Sequence, residues 1–170
     1  MSGRVLIACV GNIFMRDDGF GAEVARRLAG MDLPDGVTVA DYGTGGMHLA
    51  YDMADGYQAT ILVDAAPHGG QPGTLTVFEA APAGHPDPML FDGHGMQPDV
   101  VFGIIEMLGA KPGRILVVGC EPASTGYGME LSVPVAAAAG EAARIAIDLA
   151  RTELARAGAG PAASVTAEER

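Results

Sequence analysis

A chain of 170 residues, 49% of them apolar, is long enough for one domain that buries roughly 70% of its unfolded surface. Its 10 basic residues against 21 acidic ones give a formal charge of −11, which argues against nucleic acid as a partner and suits a cation or a basic protein segment. Two cysteines, Cys9 and Cys120, are too few for a disulfide framework or a cysteine-rich zinc module, and each ends a strand-like run as a small buried residue would.

Residues 5–10 form a continuous apolar run closed by Gly11-Asn12, the pattern of a strand covered on both faces. Asp17 and Asp18 then precede a helix over 19–28, where an aspartate is a favoured N-cap because its carboxylate accepts first-turn amide hydrogens. Pro34-Asp35-Gly36 is turn chemistry ahead of a short strand at 37–40. The glycine-rich run 43–46 suits positive φ and close backbone approach, and it opens a second helix over 47–54. A buried strand at 60–63 ends at Asp64. Pro72-Gly73 turns the chain into a strand at 74–78, whose alternation predicts one wetter face and a place near the sheet edge.

Residues 80–95 show no periodicity, and a loop this long in a compact domain serves a site or stays unordered. Pro98 is well placed to start a third helix, to 108, since its missing N–H would be unpaired anyway. A last strand at 115–118 and an irregular stretch at 121–131 lead to Ser132, a candidate cap for a long helix over 134–157. Strands alternating with helices predict a single three-layer α/β domain over residues 1–157. Its core is a mostly parallel twisted sheet of about five strands flanked by helices. The stretch 158–170 is small and polar and is expected to be a mobile tail. No apolar run approaches the ~20 residues of a membrane span, and the start of the chain lacks the regions of a signal peptide. The expectation is a cytoplasmic protein with no membrane partner, and a monomer is the simplest assembly.

Familiar catalytic sets are missing: there is no G-x-S-x-G elbow, no H-E-x-x-H pair and no G-x-x-x-x-G-K-[ST] loop. Gly11, Gly19 and Gly21 do not fit the dinucleotide spacing, and acids stand where a pyrophosphate would need amide donors. Asp18, Asp64 and His94 each sit past a strand-like segment or open onto a helix, the places that converge at the carboxyl edge of a parallel sheet. Two carboxylates and an imidazole suit nickel, zinc or a similar divalent ion. Asp18 alone reads as a helix cap, but Asp17 beside it can take the cap or a supporting role. Asp64 ends an apolar strand, where an unpaired charge is costly. His94 alone reads as a solvated loop histidine, and His48, His68 and His85 read as surface residues.

The segment Gly11-Asn12-Ile13-Phe14-Met15-Arg16-Asp17-Asp18-Gly19-Phe20-Gly21 follows the first strand. Asp41-Tyr42-Gly43-Thr44-Gly45-Gly46-Met47 and Ile61-Leu62-Val63-Asp64-Ala65 come after it in order. This set resembles the signature of the hydrogenase maturation endopeptidases, which runs roughly G-x-G-N-x-L-x-x-D-[DE]-G-x-G after the first strand. Cys9 and Phe14 stand where that pattern has glycine and leucine. The resemblance runs from about residue 4 to residue 150, and His94 falls where the family places its loop histidine. It implies an endopeptidase that removes a carboxy-terminal extension from the precursor of a nickel–iron hydrogenase large subunit. The nickel is already seated in that precursor and is recognised there, and Asp18, Asp64 and His94 are implied as both the catalytic and the metal-contacting residues. Two other readings stand beside it. One is a non-catalytic, metal-binding or chaperone-like module that docks on a metalloenzyme precursor through the same three residues. The other is a small-molecule-binding α/β domain.

Overall fold

A computed structural model describes residues 3–80 and 98–158. β1 (Val5–Val10) and β3 (Ala59–Ala65) are buried at every position, and β5 (Arg114–Cys120) at every position after Arg114. Strands so thoroughly apolar can only sit in the middle of a sheet with both faces covered. The strand order is β2-β1-β3-β5-β4, with β2 (Val37–Gly43) and β4 (Leu75–Ala80) at the edges. β2, β1, β3 and β5 run parallel, and β4 runs antiparallel to β5. The expected five-stranded, mostly parallel α/β sheet is therefore found, with β4 at an edge as its alternation predicted.

Successive side chains along a strand point to opposite faces, and each face carries its own pair of helices. Val5, Ile7 and Cys9 of β1 pack with Phe20, Val24 and Leu28 of α1 (Phe20–Leu28) and with the alanine face of α4 (Val133–Gly158). Leu6, Ala8 and Val10 face Leu49 and Met53 of α2 (Gly46–Met53), with Val101 and Ile105 of α3 (Pro98–Met107) beside them. Phe20, Val24 and Leu28 recur every four residues and are fully buried, each contributing roughly 1.5–3 kcal/mol by leaving water. Leu62 of β3 lies in the α2–α3 layer. By the same alternation Asp64, two residues on, belongs to that side of the sheet.

The start of α1 lies directly on the sheet. A methyl group added at Gly21 would sit 2.8 Å from the Val10 nitrogen and 2.9 Å from the Val63 carbonyl oxygen, so only glycine lets the helix approach so closely. β2 continues past residue 40 because Asp41 and Gly43 pair with Cys9 and Val10 of β1, a ladder supplied by a neighbour rather than by local composition. Within 43–46 the expected positive φ occurs at Gly43 (+55°), whereas Gly45 has φ −81° and Gly46 already begins α2.

At the amino rim of the sheet, Arg114 Nη1 lies 2.6 Å from the buried Glu153 of α4, while its Nε and Nη2 donate to Glu79 of β4. Among the described residues no helix is long and apolar enough to cross a membrane. Apart from Ala80 and Gly158, the irregular stretch expected at 80–95 and the tail expected at 158–170 lie outside the described residues.

A candidate active site at the carboxyl edge of the sheet

Gly11 carries the chain off the tip of β1 with φ +131°, in the region that favours glycine. A methyl group there would collide with the Asp18 carbonyl oxygen and would lie 3.4 Å from Asp64 Oδ1. Asp18 and Asp64, distant in sequence, are thus brought to either side of one glycine. The Asn12 N–H donates to Asp18 Oδ2 at 2.8 Å, and the Ala65 N–H donates to Asp64 Oδ1 at 2.7 Å. Both acids are nearly fully buried, at 6% and 4% exposure. Burial first, and then the charge of Asp18, push the Asp64 carboxyl well above the usual carboxylate range, against the pull of the Ala65 N–H. Among the described residues no arginine or lysine pairs with Asp64. Two acids crowded in low dielectric form a site that a cation would relieve.

Of the two roles expected of Asp17, cap or support, the structure shows support. The chain makes a single 3-10 turn at Arg16–Gly19, Gly19 takes the N-cap position of α1, and no side chain caps that helix. The Asp17 carboxylate, fully buried, points instead to the segment between β5 and α4. Its Oδ2 accepts from the Ala123 N–H at 2.8 Å, the Ser124 N–H at 3.0 Å and the Ser132 hydroxyl at 2.8 Å. Its Oδ1 accepts from the Ser132 N–H at 2.7 Å. Burial works against the charge, but the Ser132, Ser124 and Ala123 hydrogen bonds outweigh it and hold the carboxyl below its ordinary range. Ser132 precedes α4 as expected, and its hydroxyl is spent on Asp17.

A second buried carboxylate fixes the loop after β3. Glu121 Oε2 accepts from the His68 N–H at 2.6 Å and Oε1 from the Gly69 N–H at 3.2 Å. The sequence offered one signal for the first of these roles: a doublet, Asp17-Asp18, where a single carboxylate would suffice for a cap. It offered none for Glu121, whose donors are backbone amides of a distant loop.

Among the described residues no three His, Cys, Asp or Glu side chains gather as a metal cage. His94 and His85 lie outside the described residues, while His48 and His68 are exposed, as read from the sequence. Both thiols are buried, and burial, aided by Asp41 and Asp64 at Cys9 and by Asp17 and Glu121 at Cys120, raises each to about 12. They stay protonated and are poor metal ligands.

Beside the paired acids opens a depression of about 480 Å³, walled by Gly11, Asn12, Ile13 and Phe14 on one side and by Asp41, Tyr42, Gly43 and Thr44 on the other. The three sequence motifs therefore meet at one edge: the loop after β1 with Asp18, the end of β2, and the end of β3 with Asp64. A family model described as "Hydrogenase maturation protease" matches residues 22–149. The chain belongs to the hydrogenase maturation protease family. The protease is 32% identical over 151 residues to the hydrogenase expression/formation protein HupM of Azotobacter chroococcum, covering 86% of this chain and 71% of that one. Its fold superposes on the hydrogenase maturating endopeptidase HybD of Escherichia coli with a TM-score of 0.72 and 27% identity, over 88% of this chain and 93% of the other. A hydrogenase 2 maturation peptidase from a Thaumarchaeota archaeon gives a TM-score of 0.62 at 32% identity, over 89% and 97%. This protease is accordingly an endopeptidase of a five-stranded α/β fold shared with those structures.

Proposed function

We propose that this protease cuts a carboxy-terminal extension from the precursor of a nickel–iron hydrogenase large subunit and recognises nickel already seated in that precursor. The observation that carries the reading is the pair of buried carboxyls, Asp18 and Asp64, set against Gly11 at the carboxyl edge of the sheet in a chain of this family. Carboxylate oxygens, together with the imidazole of His94, are hard-to-borderline donors suited to a divalent nickel that the substrate holds through its own thiolates. Such an ion, bound between substrate and enzyme, supplies Lewis acidity toward a carbonyl or a water.

The chain's own residues do the positioning. Asp18 is held by the Asn12 N–H and Asp64 by the Ala65 N–H, so their remaining oxygens are fixed in place before substrate arrives. The depression between Phe14 and Thr44 runs alongside and suits an extended peptide, and holding the scissile segment in register there lowers the barrier further. Both cysteines are unpaired, which fits work in the cytoplasm, where disulfides are rare.

The test is to incubate the protease with nickel-loaded and nickel-free precursor and to follow precursor mass by mass spectrometry. The expected result is a shortened chain with the loaded precursor only. A loaded precursor that keeps its full mass would overturn the reading, and equal cutting of both forms would remove nickel from it.

A further inference from the structure

Arg16 is the only non-glycine among the described residues with positive φ, at +50°. A side chain enters that region only at a cost, and such strain persists where surrounding contacts enforce it. Here they do. The Arg16 N–H donates to the Gly128 carbonyl at 2.8 Å, the Gly128 N–H donates to the Phe14 carbonyl at 2.9 Å, and Met15 and Gly128 form a parallel bridge. The exposed side chain is tethered to the same segment. Its Nε donates to the Tyr127 carbonyl at 3.3 Å, and its stem runs over Gly128, where a methyl group would lie 3.0 Å from Nε and 3.1 Å from Cγ.

Among the described residues the charge of this guanidinium is unspent. Each of the seven other described arginines lies within 3.9 Å of a carboxylate, from Arg4 at Asp55 to Arg156 at Glu153. Among the described residues Arg16 has none, although the chain carries 21 acids. Around it lies apolar surface: Phe14 is 58% exposed, Tyr127 88% and Met129 69%. Asp18 follows two residues later in the same loop.

We propose that Arg16 reads the substrate: its guanidinium pairs with an Asp or Glu side chain of the precursor, whose apolar neighbours cover Phe14, Tyr127 and Met129. The proposal rests on the precursor-processing reading above. A planar guanidinium tethered through Nε still presents its two Nη groups, which can meet a carboxylate with two parallel hydrogen bonds. A net charge of −11 disfavours acids over most of the surface, and among the described residues Lys111, the other cation without a carboxylate, lies at the opposite rim. Beside Asp18 the seat for an acidic side chain of the partner is therefore Arg16, and that seat sets its orientation relative to Asp18.

The experiment measures binding of nickel-loaded large-subunit precursor by biolayer interferometry in the cold, alongside cleavage followed by mass. Arg16→Glu is compared with Lys111→Glu, which makes the same charge change on an exposed residue at the opposite rim, ahead of β5. Arg16→Glu is expected to weaken binding about tenfold or more, Arg16→Lys to recover part of it, and Lys111→Glu to match the parent, as for a charge outside the interface. One Asp→Arg or Glu→Arg change in the precursor should restore binding to Arg16→Glu. Equal affinities for Arg16→Glu and Lys111→Glu would overturn the proposal while leaving precursor cleavage by the parent protein intact. A parent protein that neither binds nor cuts the precursor would overturn both readings.

Discussion

Asp17 and Ser132 meet through two hydrogen bonds, one to the Ser132 N–H and one to its hydroxyl, although the first lies just before α1 and the second just before α4. With the Ala123 and Ser124 amides on the same carboxylate, this contact fastens the loop that carries Asp18 to the segment after β5. Asp17→Ala leaves those buried donors without an acceptor, and the expected cost is about 3 kcal/mol. For a domain of this size the melting midpoint, read by differential scanning calorimetry, should fall by roughly 6–12 °C.

The same residue predicts an acid limb. Its carboxyl titrates below the ordinary range in the folded protein, so the stability it contributes is present above the unfolded value, about pH 4, and is lost as pH falls through the folded one. The stability gap between the parent protein and Asp17→Asn should therefore be constant near neutrality and shrink below about pH 4. Urea titrations at a series of pH values measure it. A gap that widened in acid would contradict the assignment.

Asp64→Asn should separate activity from stability. The replacement amide oxygen can still accept the Ala65 N–H, while the buried acid beside Asp18 is gone. Precursor cutting should be lost with the melting midpoint unchanged or higher, since the native site carries an electrostatic cost that serves function. Asp18→Asn should also lose cutting with its circular dichroism preserved. Full activity in both variants would end the role assigned to this pair.

Gly21→Ala tests the seat of α1 on the sheet. Its methyl would press on the Val10 nitrogen and the Val63 carbonyl, with an expected loss of about 3 kcal/mol in urea denaturation. Gly30→Ala is the matched control. Its methyl would meet the Arg27 carbonyl at an ordinary 3.7 Å, and stability should hold or rise slightly as the unfolded chain loses freedom.

The thiols give a further check. Cys9 and Cys120 are buried and pushed up to about 12, so neither should react with a disulfide reagent at neutral pH in the native protein. In denaturant both should label.

Central strands were legible from sequence because burial on both faces leaves nothing but apolar residues, as at Val5–Val10, and β4 betrayed its edge by alternation. The convergence of Asp18 and Asp64 was legible for the same reason, since a parallel sheet gathers its strand ends. What local reading could not supply was pairing across the fold. The end of β2 looked like loop because Asp41 and Gly43 are poor strand formers, and only the β1 ladder holds them extended. Asp17 stayed undecided between cap and support because its partners, Ala123, Ser124 and Ser132, belong to a segment with no pattern of its own. The strain at Arg16 was invisible for a related cause: a positive φ is enforced by Gly128, and nothing in the residue type announces it.

The Arg114 cluster at the amino rim has a consequence for keeping the molecule apart from its own copies. β4 is an outer strand with Val77 46% exposed, the kind of border along which chains zip together. Glu79, set on that border and clasped by Arg114, acts as a gatekeeper, an ionic group that a second chain would have to strip of water before adding a strand. Exchanging Glu79 for an apolar residue would leave the border undefended, and the penalty would be paid in turbidity on concentration.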